Sequence, residues 1–187
     1  MELINILIRT SNRPALFARC LDSVLSQNYE NLRVVVSYDT EVKPDYIPVY
    51  IETIAVSADR SKPYFYDCYL NDLKELVTSG WFFFLDDDDY LVPGILHQLE
   101  LDCPALLVQL DHPVGIVPQS ANFGFGQIGF PCLILHHSLK SLADILGGDH
   151  GDYHWIKEIL GMVDLKFVPL VVVKADRKGH GIIPASN

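Results

Sequence analysis

The chain has 187 residues, enough for one domain with a full hydrophobic core. Hydrophobic residues make up 49% and charged residues 20%, a globular composition and not a disordered one. The formal net charge of -10 excludes phosphate-backbone binding as the main task and disfavours anionic membrane surfaces, so no nucleic-acid partner is expected.

Ile4 to Ile8 is a short apolar run that reads as a buried strand. Ser11 or Asn12 is then placed to cap a helix, and Pro14 suits its first turn. Leu16, Phe17, Cys20, Leu21, Val24 and Leu25 give that helix one buried face. Leu32 to Ser37 is β-rich and stops at Tyr38-Asp39, and Val49 to Val56 reads as a third strand. A second helix is predicted from Ser61-Lys62-Pro63 through Phe65, Cys68, Tyr69, Leu73, Leu76 and Val77, with Gly80 at its C-terminal cap. Trp81 to Leu85 is a fully apolar fourth strand that runs into Asp86-Asp87-Asp88-Asp89. This alternation predicts a parallel sheet with helices on its faces, and the strand ends define one ligand-binding edge.

The second half is less regular. Ala105 to Leu110 and Pro131 to Leu135 are strand-like, and His112 to Phe130 reads as a long loop rich in Gly, Pro and aromatic residues. Helices are predicted over Ser138 to Leu146 and from about Asp152 to Leu160, and a last strand over Phe167 to Val173. Nothing in the sequence divides the chain, so one domain over 1–187 is expected. Cys20, Cys68, Cys103 and Cys132 are widely spaced in apolar stretches, which favours buried free thiols in a reducing compartment over a zinc site or disulfides. No apolar run approaches the ~18 residues that span a bilayer. Met1-Glu2-Leu3-Ile4-Asn5-Ile6 lacks the features of a signal peptide. A cytoplasmic protein without an integral membrane segment is the expectation.

Four adjacent carboxylates after a buried strand repel one another, so they either raise each other's pKa or call for a cation. In extended backbone, residues two apart point the same way, so Asp86 and Asp88 are placed to share one oxygen-rich site. Hard oxygen ligands favour Mg²⁺ or Mn²⁺. Such an ion bridges the phosphates of a nucleoside diphosphate and neutralises a departing one.

Three segments together carry a resemblance: Ile4-Asn-Ile-Leu-Ile-Arg-Thr-Ser-Asn-Arg-Pro14 with Leu21-Asp-Ser-Val-Leu-Ser-Gln-Asn-Tyr29, then Leu32-Arg-Val-Val-Val-Ser-Tyr-Asp39, then Phe84-Leu-Asp-Asp-Asp-Asp-Tyr-Leu-Val-Pro-Gly94. In order and spacing they resemble family 2 glycosyltransferases of the GT-A fold over about the first 95 residues, the last segment being similar to the family's DxD motif. The resemblance implies a single α/β domain with a mostly parallel, Rossmann-like sheet flanked by helices. Residues 1–95 would form the nucleotide-sugar half and residues 96–187 the acceptor half. It implies transfer of a sugar, with inversion, from a nucleoside-diphosphate sugar (a UDP-sugar) to the hydroxyl of a glycan or other acceptor.

By position, Thr10, Arg13, Asp39, Asn71, Asp86 and Asp87 would bind the nucleotide sugar. Asp88 would bind the metal, with Asp86 in or near its shell and His180 as a late ligand. Asp152 would be the general base, with Asp149 in reserve. The chain departs from the family twice: Gly151 stands where a Glu is usual, and Leu70-Asn71 replaces an Arg-Asn pair, with Arg60 or Lys62 as substitute cations. Two other readings follow from the same residues. One is a degenerate GT-A domain that binds a nucleotide or glycan without turnover. The other is a phosphohydrolase of the haloacid dehalogenase type, which also has Asp-x-Asp after a strand.

Overall fold

A computed structural model describes residues 1–56, 67, 69–148 and 150–176. Nine strands form one sheet. They are β1 (Ile4–Thr10), β2 (Leu32–Tyr38), β3 (Glu52–Ala55), β4 (Trp81–Asp86), β5 (Asp89–Leu91), β6 (Ala105–His112), β7 (Gly115–Val117), β8 (Leu133–His136) and β9 (Lys166–Ala175). The order is β3-β2-β1-β4-β8-β6-β9-β5, with β7 on β6. β1 to β4 are mutually parallel, and β6 and β9 share their direction through the antiparallel β8. Only β5, β7 and β8 run the other way, so the sheet is mostly parallel. The path from β4 through β8, β6 and β9 ends at β5, which follows β4 in the chain after only Asp87 and Asp88. The sheet therefore curls back on itself at the acidic quartet.

Hydrophobic pattern accounts for most of these elements. β1 and β4 lie inside the sheet and are buried along nearly their whole length, as continuous apolar runs require. Helix α1 (Pro14–Leu25) buries Phe17, Cys20, Leu21 and Val24 and begins with Pro14 at its first turn. The capping expectation is corrected here: Arg13 is the N-cap residue, and no side chain caps the helix. Asn12 instead adopts a left-handed conformation, with φ of 50°. The bend sends Arg13 towards the end of β4. Helix α2 spans Tyr69–Glu75; the earlier part of the predicted helix, with Arg60, Lys62, Phe65 and Cys68, lies outside the described residues. Gly80, with φ of 74°, precedes β4 at a point where any Cβ would collide with the Leu3 carbonyl.

The helix predicted over Ser138 to Leu146 is absent. One 3₁₀ turn over His137–Leu139 leads into irregular chain, and its backbone is satisfied by side chains from elsewhere. Lys74 Nζ and Trp155 Nε1 both donate to the Ala143 carbonyl, at 2.6 and 3.2 Å. The Asn71 amide exchanges two hydrogen bonds of 2.9 Å with the backbone of Ile145. These partners replace the intrahelical ladder and steer the chain into α3 (Gly151–Leu160). The predicted loop over His112 to Phe130 contains β7, and β5 is a strand the sequence reading missed. One cluster of buried residues runs from Ile4 to Val173. Among the described cysteines, Cys20, Cys103 and Cys132 are free thiols; the first and last are buried and Cys103 is half-buried. Burial raises the Cys20 thiol well above its ordinary value and pushes Cys132 up to about 12. No described helix is long and apolar enough to cross a membrane.

Candidate active site

The parallel register brings the chemistry together. Arg9 lies directly opposite Asp86 across β1 and β4, and Thr10 lies opposite Tyr38, one residue before Asp39. Arg9 Nε donates to Asp86 Oδ1 at 2.8 Å, and its Nη1 donates to Asp67 Oδ1 at 2.7 Å. Thr10 Oγ1 donates to Asp87 Oδ2 at 2.7 Å. Arg13 forks across the next two carboxylates, pairing with Asp87 and donating from Nη1 to Asp88 Oδ2 at 2.9 Å. Arg19 donates to the Asp88 carbonyl at 2.5 Å, forms an ion pair with Asp176 and lies 4.7 Å over the Tyr90 ring.

Three guanidiniums (Arg9, Arg13 and Arg19) thus face six carboxyl groups (Asp67, Asp86 to Asp89 and Asp176). Asp87, Asp88 and Asp89 are buried; Asp86 is the most open of the quartet, with 27% of its side chain exposed. Burial raises the Asp87 carboxyl, against the pull of Arg13 and Thr10. Burial and the neighbouring Asp86 and Asp88 charges hold Asp89 well above the usual carboxylate range. For Arg9 and Arg13, burial works against the charge, but the adjacent carboxylates outweigh it and both stay firmly protonated.

The sequence-predicted residues take different places. Thr10 and Arg13 join the acidic turn as described. Asp87 is fully buried and acts through the Arg13 and Thr10 that it binds. Asp39 stands at the end of β2, where it accepts from Ser11 Oγ at 3.3 Å and from Tyr69 OH at 3.5 Å. Tyr46 closes the same corner: its hydroxyl accepts from the Asn12 backbone N–H at 3.1 Å and lies 3.3 Å from Thr10 Oγ1. Asn71 is engaged with Ile145 and shapes the approach to α3. Asp149 and His180 lie outside the described residues.

Asp152 sits in the first turn of α3, where its Oδ1 accepts from the Tyr153 N–H at 2.7 Å. Burial lifts its carboxyl to about 6, with the Tyr153 N–H opposing and the charges of Asp67 and Asp86 adding to the lift. Asp152 therefore shares an electrostatic environment with the edge of β4. At Gly151, where the resemblance led to the expectation of a Glu, there is little room for a side chain. A Cβ there would lie 3.0 Å from Asp67 Oδ2 and 3.1 Å from the Leu146 carbonyl. The place is already filled by a carboxylate from another part of the chain.

Sequence reading missed Arg9, Asp67 and Arg19. A register argument would have found Arg9, since it is the last residue of β1 that pairs with β4. Asp67 has no such signal, because only the tertiary fold brings it to Arg9 and Gly151.

Mg²⁺ needs only one or two protein carboxylates when substrate phosphates complete its shell. Asp86 and Asp88 offer hard oxygens of that kind, each also facing a guanidinium. Among the described residues no three His, Cys, Asp or Glu side chains form a metal-holding group.

No protein-family model matches the chain, and no curated protein matches it in sequence. Solved structures do match. S. aureus TarS 1-349 in complex with UDP aligns with a TM-score of 0.72 and 16% identity, covering 92% of this chain and 60% of that one. The same protein in complex with UDP-GlcNAc aligns with a TM-score of 0.71 and 16% identity over 99% of this chain and 62% of TarS 1-349. This is the GT-A fold. A third TarS structure gives 0.70 at 16% identity, covering 92% of this chain and 36% of its own. The chain thus spans about three fifths of TarS 1-349 at most.

Proposed function

We propose that this chain is a glycosyltransferase that uses a nucleoside-diphosphate sugar, a UDP-sugar. The observation that carries the reading is the set of Thr10, Arg13, Asp39 and Asp86 to Asp88 gathered at one sheet edge of a GT-A fold. The TarS structures with UDP and UDP-GlcNAc support the choice of ligand, and the shared fold favours this reading over a haloacid dehalogenase-type phosphohydrolase. In this proposal the corner formed by Thr10, Asp39 and Tyr46 takes the nucleoside, and Arg9 and Arg13 stand beside the diphosphate. Asp86 and Asp88 would hold Mn²⁺ or Mg²⁺, which when bound supplies countercharge to the departing diphosphate. His180, four positions after Asp176 and outside the described residues, remains the proposed further ligand.

Asp152 is the proposed base, with Asp149, also outside the described residues, in reserve. With its carboxyl near 6, Asp152 is mostly ionised at neutral pH yet basic enough to take the acceptor hydroxyl proton. That proton would leave as the hydroxyl oxygen attacks the anomeric carbon from the face opposite the diphosphate, which inverts the configuration. Even with Asp89 held well above the usual carboxylate range, Asp67, Asp86, Asp87, Asp88 and Asp176 outnumber the three guanidiniums, which supports a place for a cation.

The test is calorimetric titration with UDP, with and without Mn²⁺, on wild type and Asp88→Ala. Wild type should bind UDP more tightly with Mn²⁺, and Asp88→Ala should lose that gain while keeping its circular dichroism spectrum. Full Mn²⁺-dependent affinity in the variant would remove Asp88 from the metal site. No UDP binding by wild type under either condition would remove the donor assignment. A second reading, a binding domain without turnover, draws on the Gly at position 151. Release of UDP from a UDP-sugar in the presence of an acceptor decides against it.

A further inference from the structure

An aromatic ledge stands against the first turn of α3, and none of the roles above uses it. Phe125 is 57% exposed, an unusual position for so large an apolar side chain. It sits between Gly124 and Gly126, the latter with φ of 69°, and the Gly124 N–H donates to Gln127 Oε1 at 2.8 Å, closing a tight loop. One side of its ring meets α3: the Tyr153 ring is 4.2 Å away at 39°, His150 is 4.9 Å away and His154 is 5.6 Å away. Beneath, buried Phe123 packs edge-on against Tyr153 at 6.0 Å and carries Lys157 Nζ 4.4 Å above its ring. The ledge is therefore propped from below and behind, and its exposed surface belongs to Phe125.

We infer that Phe125, backed by Tyr153, is the stacking platform for the acceptor, and that this acceptor is a saccharide whose pyranose ring lies on the exposed face of Phe125. The inference rests on the glycosyltransferase reading and gives its acceptor a chemical class. Three observations favour a sugar over a purely apolar ligand. Tyr153 follows Asp152 in the first turn of α3, so the ledge and the proposed base are carried by the same end of one helix. The aromatic faces lie beside the exposed His154, whose ring nitrogens suit hydroxyl groups. A sugar ring presents C–H bonds on its faces and hydroxyls around its rim, which matches an aromatic face with polar groups at its margin.

The experiment is titration of wild type, Phe125→Ala and Phe125→Trp with chitotetraose, cellotetraose and maltotetraose, each in the presence of UDP. At least one tetrasaccharide should bind wild type. Phe125→Ala should weaken it by about tenfold, the size of one lost stacked contact, and Phe125→Trp should restore it. UDP affinity, measured alone, should be the same in all three proteins. Phe125 is exposed, so melting temperatures within a few degrees of wild type are expected and would show that the fold survives. Equal tetrasaccharide affinity in wild type and Phe125→Ala would overturn the platform, as would failure of all three saccharides to bind wild type. Loss of UDP binding by wild type with saccharide binding intact would sink the donor reading and leave the platform standing. Self-association of wild type that Phe125→Ala abolishes, without saccharide binding, would make the ledge a protein contact and overturn the inference.

Discussion

At the end of β4, Asp86, Asp87 and Asp88 are held by Arg9 and Arg13, and Asp87, Asp88 and Asp89 are buried, whereas at the start of α3 Asp152 is half-buried and Tyr153, the next residue, packs on the largely exposed Phe125. The first region is made of interlocked charge, in which each group is oriented by the next. The second is made of aromatic surface on a glycine-flanked loop, with few polar bonds. Charged groups fixed before a ligand arrives suit chemistry that does not change with substrate, because their orientation is settled when the protein folds. Loop-borne aromatic surface suits recognition, since it can be altered without disturbing the sheet. On the proposed reading, the two regions divide the work between donor and acceptor.

That division can be broken most severely at Asp152. Replacement by Asn should slow sugar transfer by about 10²- to 10⁴-fold, the usual worth of a general base, and leave UDP affinity near wild type. The wild-type rate should rise with pH through the Asp152 titration at about 6, because a base must be ionised to act, and the Asn variant should lack that limb. Initial rates across pH 4.5 to 8 check both points; an unchanged limb would assign it to another group.

A second break tests interlocking. Arg9→Ala leaves the buried Asp67 and the neighbouring Asp86 without their shared partner, and should cost about 3 kcal/mol of unfolding free energy. Asp67→Asn in the same chain should return part of that loss, because it removes the stranded charge. Urea unfolding of wild type, Arg9→Ala, Asp67→Asn and the double variant gives the comparison, and additive losses would show that the groups act independently.

The smallest effect is expected where the two regions touch. Gly151→Ala places a methyl group 3.0 Å from Asp67 Oδ2 and 3.1 Å from the Leu146 carbonyl, so one neighbour has to shift. A loss of about 1–2 kcal/mol is expected, seen as a lower melting temperature. No change would mean that Asp67 yields freely and is not held firmly by Arg9.

The buried strands and the quartet were legible because they rest on local pattern. An apolar run followed at once by four acids reads the same in any context, and β1, β2, β4 and α1 fall close to where the sequence places them. The region around Ser138 to Leu146 misled because its apolar spacing is helical, while Lys74 and Asn71, both distant in sequence, and Trp155 from the following helix satisfy its backbone in the fold. β5 was hidden for a similar reason: three residues carry no period, and its partner β9 lies more than eighty positions away. At the site, the acids were visible but their partners were not. Arg9 and Asp67 meet only after β1, the chain before α2 and β4 have come together.

The curl of the sheet has a consequence for the protein's behaviour in a crowded solution. Because the path from β4 returns to β5, that side of the sheet ends against its own chain, with α1 packed over it. Among the described residues the outward strands are β3, of four residues, and β7, of three. On β3 the exposed Glu52 carboxylate is gripped by Arg33 at 2.7 and 2.9 Å. Short, charged borders of this kind offer little purchase to a strand from another molecule, so the backbone chemistry that builds the sheet is discouraged from extending it into aggregates.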